Sequence, residues 1–110
     1  MSRTPKTVQT PKAPAAIGPY SQAIASGGMV YTSGQLGIDP ATGVIPENFA
    51  VQAKLAMQNL QAIVEAAGSN LGLVVSVDVY LIDMGRFAQF NEIYASYFHE
   101  HRPARAAIAV

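Results

Sequence analysis

Apolar residues recur at steps of three and four along the segment that follows Pro46, which predicts the clearest helix of the chain. This helix begins near Phe49 and ends before Gly68, because glycine commonly follows the last helical turn. Its apolar positions are Phe49, Ala53, Ala56, Leu60, Ile63 and Ala67. A second helix is predicted to start at Asp83 or Gly85. Its apolar stripe comprises Phe87, Phe90, Tyr94 and Tyr97.

Strand patterns occupy most of the remaining chain. Residues 20–25 and 29–35 flank the pair Gly27 and Gly28, which predicts a hairpin. Residues 7–10 form a short candidate first strand. The β-branched content of residues 74–82 predicts a further strand, with one face formed by Val75, Val77, Val79 and Leu81. Pro103 marks the start of a last strand.

The resulting order is β-β-β-helix-β-helix-β, which favours an α+β fold with a mixed sheet and both helices on one face. The other sheet face would then be bare. Charged residues make up only 13% of the 110 positions, about half the usual share. We therefore expect one domain over residues 1–110, with other copies of the chain covering the bare face.

Composition narrows the function classes. The net charge is zero, which argues against a strong nucleic-acid footprint, and charges and prolines interrupt every apolar stretch before it reaches the length of a membrane span. The absence of cysteine excludes disulfides and thiolate chemistry. Residues 1–13 form a polar lead-in without a signal-peptide pattern. We expect a cytoplasmic protein, with organelle targeting as the lesser alternative.

Most familiar catalytic patterns are missing. His99 and His101 follow the second helix without metal-ligand spacing to other residues, which favours structural or exposed roles and no metal site. Ser33 lacks the partners of a catalytic triad. Residues 33–37 contain two glycines, but no lysine follows as in a phosphate-binding loop.

Arg105 is the one charge in the final apolar segment. In a strand it shares a face with Ala107 and Ala109, whose small side chains leave room beside the guanidinium. An unpaired charge is costly to bury, so Arg105 must meet an internal carboxylate, reach solvent or bind an anionic ligand. Its planar fork matches a carboxylate in two parallel hydrogen bonds.

Five segments occur together in order and resemble the reactive intermediate deaminase A family, also called the RidA or YjgF family. They are AIGPYSQA at 16–23, YTSGQ at 31–35, VEAAG at 64–68, FNEIY at 90–94 and PAR at 103–105. The resemblance covers nearly the whole chain, and the Gly-Pro-Tyr-Ser and Pro-Ala-Arg segments are its specific parts.

The resemblance implies a chorismate-mutase-like fold assembled as a homotrimer, with clefts between neighbouring subunits. It implies hydrolysis of enamines and imines such as 2-aminoacrylate and 2-iminobutanoate to 2-oxo acids and ammonia. This chemistry needs proton delivery, an oriented water and a carboxylate clamp, and it requires no cofactor. Two alternatives are a non-catalytic trimer that binds small carboxylates, and an endoribonuclease or translation inhibitor.

The resemblance also assigns residue roles. Arg105 holds the substrate carboxylate, and Tyr20 is the second catalytic residue, at the cleft. Four further positions are assigned to substrate binding: Ser33, Gly34, Asn91 and Ala107, the last mainly through its backbone. In the family a further strand with an acidic residue follows. We therefore expect these 110 residues to bind 2-oxo acids through Arg105 but to deaminate slowly, and to aggregate more readily than a version with the further strand.

Overall fold

The structure is a computed structural model that describes residues 3–110. The chain divides into two compact units, Met1–Ser69 and Asn70–Val110. The first unit contains β1 (Lys6–Val8), β2 (Ala23–Ser26), β3 (Met29–Thr32) and α1 (Phe49–Ala66). The second contains β4 (Ser76–Leu81), α2 (Phe87–Phe98) and β5 (Ala104–Ala109). The predicted element order and the α+β class are confirmed.

The predicted hairpin is confirmed. Strands β2 and β3 pair antiparallel, and Ser26 lies opposite Met29 across a two-residue turn. Gly27 and Gly28 have φ values of 60° and 80°, a conformation that this turn type demands and that glycine adopts without steric cost. Strand β1 adds to the other edge of β2, which completes a three-stranded antiparallel sheet.

The first two strands are shorter than predicted. Strand β2 begins at Ala23, because the Tyr20 amide donates to a carbonyl two residues earlier at 2.8 Å and so belongs to a turn. Strand β1 ends at Val8, because the Thr10 amide donates to the Gln22 side chain at 2.7 Å instead of to a neighbouring strand. A backbone turn thus replaces the sheet ladder at Tyr20, and a side-chain hydrogen bond replaces it at Thr10.

Helix α1 begins and ends as predicted. The Asn48 side chain accepts a hydrogen bond from the Val51 amide at 3.0 Å, which satisfies one of the free donors of the first turn. Gly68, with φ of 86°, follows the last turn. The buried positions of the helix are Ala53, Met57, Asn59, Ile63 and Val64. Ile63 is fully buried and packs with residues of β1 and β2 in the core of the first unit.

The loop after β3 is fastened to α1. Asn59 is 1% exposed, and its Nδ2 donates to the carbonyl oxygens of Leu36 at 3.1 Å and Ile38 at 2.8 Å. Between these two residues, Gly37 lies so close to the helix that an added Cβ would stand 2.6 Å from the Cα of Gln52. Only glycine fits this approach of loop to helix.

In the second unit, β4 and β5 pair parallel, with Val77 opposite Arg105 and Tyr80 opposite Ile108. Val77, Val79 and Leu81 alternate with exposed residues, which confirms the predicted face of this strand. Val75 precedes the strand and is exposed. The strands of the described chain form two sheets, whereas the sequence predicted one mixed sheet. The alternation of apolar residues predicts each strand, but it does not specify which distant strands pair with each other.

Helix α2 begins at Phe87, later than predicted. Asp83 instead caps a short 3-10 turn, Met84–Arg86, by accepting a hydrogen bond from the Gly85 amide at 2.9 Å. The buried residues of the helix are Phe90, Ile93, Tyr94 and Phe98, whereas Tyr97, which was predicted in the apolar stripe, is half-buried. Neither helix within residues 3–110 has the length and hydropathy of a membrane span.

Candidate functional site

Arg105 occupies the face of β5 that α2 covers. Its Nη1 donates to the Asn91 Oδ1 at 2.8 Å. The central carbon of its guanidinium lies over two aromatic rings, 4.8 Å from the ring centre of Tyr94 and 5.2 Å from that of Phe87. Both distances are within the range of a cation–π interaction. The residue itself remains exposed to solvent.

One face of α2 supplies all three contacts to Arg105. Phe87, Asn91 and Tyr94 are four and three residues apart, and residues with these spacings lie next to each other on a helix surface. Arg105 reaches this face because it is paired with Val77 on the parallel strand, so its side chain leaves the sheet on the side of the other covered residues. The sequence predicted this face of α2 as an apolar stripe, and its contact with the arginine was missed.

The arginine retains most of its donors. A guanidinium has five N–H groups, and the structure gives one of them to Asn91. The ion pair within residues 70–110 joins Arg86 and Asp83, and no carboxylate of that unit lies within ion-pair distance of Arg105. Because Asn91 accepts through its oxygen, its amide nitrogen holds two further donors. The surface formed by Arg105 and Asn91 can therefore bind an anion.

Tyr94 is buried beneath this surface. Its hydroxyl has no hydrogen-bond partner in the described part of the chain. Burial raises the pKa of the Tyr94 hydroxyl above its ordinary value of 10.0, and the charge of Arg105 opposes that shift. Tyr94 is therefore neutral near pH 7, and its ring faces the guanidinium without carrying a charge of its own.

Tyr20 belongs to the first unit and follows the Gly-Pro turn. Its side chain is half exposed, and its hydroxyl accepts a long hydrogen bond from the Ile17 amide at 3.4 Å. That contact uses none of the donor capacity of the hydroxyl, so Tyr20 can still donate a hydrogen bond or a proton to a ligand.

Ser33 and Gly34 follow the end of β3, which stops at Thr32 instead of residue 35. The Ser33 Oγ donates to the carbonyl of Ser21 at 2.6 Å, and its amide donates to the carbonyl of Gln22 at 2.9 Å. The Ser33 hydroxyl thus holds two segments together and keeps acceptor capacity for a ligand. A Cβ added to Gly34 would meet no atom within 4 Å, so its surroundings are open.

Gln22 lies within the AIGPYSQA segment, and no role was predicted for it. It is 3% exposed, and its amide nitrogen donates to the carbonyls of Thr10, Ala13 and Pro14 at 3.1, 3.3 and 2.8 Å. Its oxygen accepts from the Thr10 amide. Gln22 and Thr10 also line a groove of about 490 Å³, together with Tyr20 and Ser21.

The predicted site residues are distributed over both units. Arg105 and Asn91 are in direct contact in the second unit, and Ala107 follows on the same face of β5, opposite Val79. Tyr20, Ser33 and Gly34 lie in the first unit. The hydrogen bond between Arg105 and Asn91 was not predicted from the sequence, and each unit carries its own part of the predicted set.

The His101 side chain is bonded within its unit, and His99 is exposed at the end of α2. His101 forms a hydrogen bond through Nε2 with the carbonyl of Val74 at 2.6 Å, and its ring lies 6.4 Å from that of Phe98. His99 ends α2 with a φ of 56°, and its carbonyl accepts a hydrogen bond from Arg102. No group of three or more potential metal ligands is clustered within residues 3–110.

Comparison with known proteins places this geometry in a family. The profile described as Endoribonuclease L-PSP matches residues 10–110. The 2-iminobutanoate/2-iminopropanoate deaminase of Salmonella typhimurium is 45% identical over 108 residues, covering 96% of this chain and 84% of that protein.

Solved structures agree. RidA from the Antarctic bacterium Psychrobacter sp. PAMC 21119 is 50% identical with a TM-score of 0.92, covering 96% of this chain and 85% of that one. Escherichia coli TdcF with bound serine is 42% identical with a TM-score of 0.92 over the same shares. The chain therefore belongs to the Endoribonuclease L-PSP family, the RidA or YjgF family whose segments its sequence carries.

Proposed function

We propose that this protein hydrolyses small 2-imino acids, and the enamines that tautomerise to them, to 2-oxo acids and ammonia. The observation that carries this proposal is the Arg105 guanidinium, which is exposed, held by Asn91 and free of any carboxylate in its own unit. Such a group is suited to bind the carboxylate that these substrates share. The relatives named 2-iminobutanoate/2-iminopropanoate deaminase support the choice of substrate.

The reaction adds one water to the C=N bond of the imine. The carbinolamine that forms then loses ammonia, and the carbon that carried nitrogen becomes the carbonyl of the 2-oxo acid. Binding of the carboxylate by Arg105 fixes the imine carbon and offsets the negative charge of the substrate near the developing intermediate. We assign to Tyr20 the transfer or orientation of a proton in this step, because its hydroxyl retains its donor capacity.

The other assignments rest on the resemblance and the local geometry. Asn91 has two amide donors for a substrate carboxylate or for the attacking water. The Ser33 hydroxyl retains acceptor capacity, Gly34 leaves open space for a substrate, and the backbone of Ala107 stands next to Arg105 on the covered face of β5. The cytoplasmic location expected from the sequence is kept as part of the proposal.

We also propose that the protein is a homotrimer. The face of β4 and β5 opposite Arg105 is exposed and carries the large side chains of Tyr80 and Ile108. With 13% charged residues, the chain has few groups that would make such a face soluble by itself. Further exposed apolar residues, such as Ile17 at 93% and Ile82 at 90%, support burial against other copies.

A coupled assay tests the activity. Threonine dehydratase generates 2-iminobutanoate, and its decay is followed with and without the protein, while calorimetry measures the binding of 2-oxobutanoate. Faster decay supports the proposal. Binding without faster decay indicates a carboxylate-binding protein instead of an enzyme. A protein that neither speeds the decay nor binds 2-oxobutanoate, but cleaves a single-stranded RNA, would instead be an endoribonuclease.

A further inference from the structure

The contacts of Arg105 point beyond carboxylate binding to the residues that orient the arginine. Two of the three groups that hold it are aromatic rings, those of Phe87 and Tyr94, with ring centres 5.2 and 4.8 Å from the guanidinium carbon. Neither ring is used by the reaction as proposed. Their location on one face of α2 places both against the same charged group.

Tyr94 is held rigidly in this position. Its ring centre lies 4.6 Å from that of Phe98 and 5.8 Å from that of Phe90, so aromatic neighbours flank it along the helix. The residue is 8% exposed. A ring packed in this way cannot change rotamer easily, so it offers a fixed surface to the guanidinium.

The Arg105 side chain, by contrast, is long and exposed, and its guanidinium makes one hydrogen bond, to Asn91. An arginine side chain loses considerable rotamer freedom when it is fixed, and that loss weakens ligand binding unless it has already occurred in the free protein. Stacking on rings restrains a planar guanidinium in a way that an ammonium group does not reproduce. The rings can therefore supply orientation that Asn91 alone does not.

We propose that Phe87 and Tyr94 are positioning residues that pre-orient the Arg105 guanidinium for the substrate carboxylate. This inference rests on the proposed function for the identity of the ligand. The two rings act through Arg105, so their loss weakens binding of the carboxylate and leaves the rate of the bound substrate nearly unchanged. The aromatic ring of Tyr94 orients the guanidinium, and the Tyr94 hydroxyl is dispensable for binding.

Kinetic variants test the inference. Tyr94→Leu is expected to raise KM for 2-iminobutanoate and the Kd of 2-oxobutanoate by about three- to tenfold, with kcat changed by less than about twofold. Tyr94→Phe keeps the ring and should restore both values. Ile93→Ala is the control, because it truncates a buried side chain of the same helix at a position that is not one of the three that contact Arg105.

A double-mutant cycle separates positioning from damage to the fold. In an Arg105→Lys background, Tyr94→Leu should change the Kd of 2-oxobutanoate by less than about twofold, because lysine lacks the planar group that the ring orients. An equal effect of Tyr94→Leu in both backgrounds, or an equal effect of Ile93→Ala on KM and Kd, would overturn the inference.

A ligand-free measurement distinguishes failure of this inference from failure of the proposed function. In NMR spectra of the unliganded protein, the Arg105 side-chain protons should be shifted upfield by the two rings and should return toward ordinary values in Tyr94→Leu and Phe87→Leu. Shifts that respond as expected, in a protein that neither binds 2-oxobutanoate nor deaminates, would support positioning and reject the substrate. Ordinary shifts in the unmodified protein would reject positioning whatever the activity.

Discussion

Val77 and Arg105 lie opposite each other in the parallel register of β4 and β5, so the only charge on the last strand emerges on the same side as a half-buried valine. Parallel neighbours share a face, which directs the guanidinium to α2 instead of to the exposed face of the pair. This one register position determines that the arginine meets Asn91 and the aromatic rings.

Replacement of Arg105 tests the carboxylate clamp directly. Hydrogen bonds to charged groups contribute about 1.5–3 kcal/mol each, so Arg105→Ala should lower kcat/KM for 2-iminobutanoate by about a hundredfold or more. Arg105→Lys keeps the charge but loses the two-pronged geometry, and an intermediate loss is expected. Near-normal deamination by a folded Arg105→Ala protein would reject the clamp.

Two glycines of the loop after β3 provide a matched pair for stability. Gly37→Ala places a Cβ against the backbone of Gln52, which cannot move without distorting α1, so a loss of about 1–3 kcal/mol of unfolding free energy is expected. Gly34→Ala meets no atom within 4 Å and should change stability by less than about 0.5 kcal/mol. Urea unfolding measures both. Equal stabilities would show that the loop and helix do not approach as described.

The Tyr94 hydroxyl predicts a pH dependence of stability. Its pKa is raised in the folded protein, so above pH 10.0 the unfolded chain loses this proton first and is favoured. The unfolding free energy contributed by Tyr94 is therefore complete below pH 10.0 and declines as the pH rises toward the folded pKa.

Tyr94→Phe removes this decline and should leave stability at neutral pH unchanged or higher, because the lost hydroxyl has no partner in the described chain. Urea unfolding of both proteins at about pH 9 and about pH 11 measures the difference, and titration of the other tyrosines largely cancels between them. Parallel losses in the two proteins would contradict the buried, neutral tyrosine.

The homotrimer predicts a mass of about three times 11.6 kDa in light scattering coupled to size exclusion. Ile108→Arg adds a charge to the exposed face of β5 and should lower the mass toward that of a monomer. Gln58→Arg, at an exposed position of α1, is the control and should leave the mass unchanged. A stable monomer of the unmodified protein at micromolar concentration would reject the trimer.

Local sequence patterns were sufficient to predict most of the helices and strands. The glycine pair at residues 27 and 28 can form a two-residue turn at no steric cost, and the apolar spacing after Asn48 defines α1 to within one or two residues. The final strand likewise starts directly after Pro103. In each case the decisive interaction joins residues close in sequence.

Polar groups that bond across long sequence distances were missed. Asn59 is a polar residue on the apolar face of α1, and it can be buried there because the carbonyls of Leu36 and Ile38 satisfy its amide. Phe87 and Tyr94 were predicted in the apolar stripe of a helix from their spacing, and their contact with Arg105 depends on the register of β4 and β5. The spacing of apolar residues within α2 does not specify which residues of these two strands lie opposite each other.

The side chain of Gln22 fixes the segment that precedes β2 and leaves the residues leading to Tyr20 exposed. Its single amide group closes the segment from Thr10 onward by bonding both the N–H and the carbonyl of Thr10, directly before β2 begins. Residues 15–20 are exposed, and none of them is among the hydrogen-bond partners of the Gln22 side chain. We therefore expect substitutions within 15–19 to change the surroundings of Tyr20 and to leave the pairing of β1 with β2 intact.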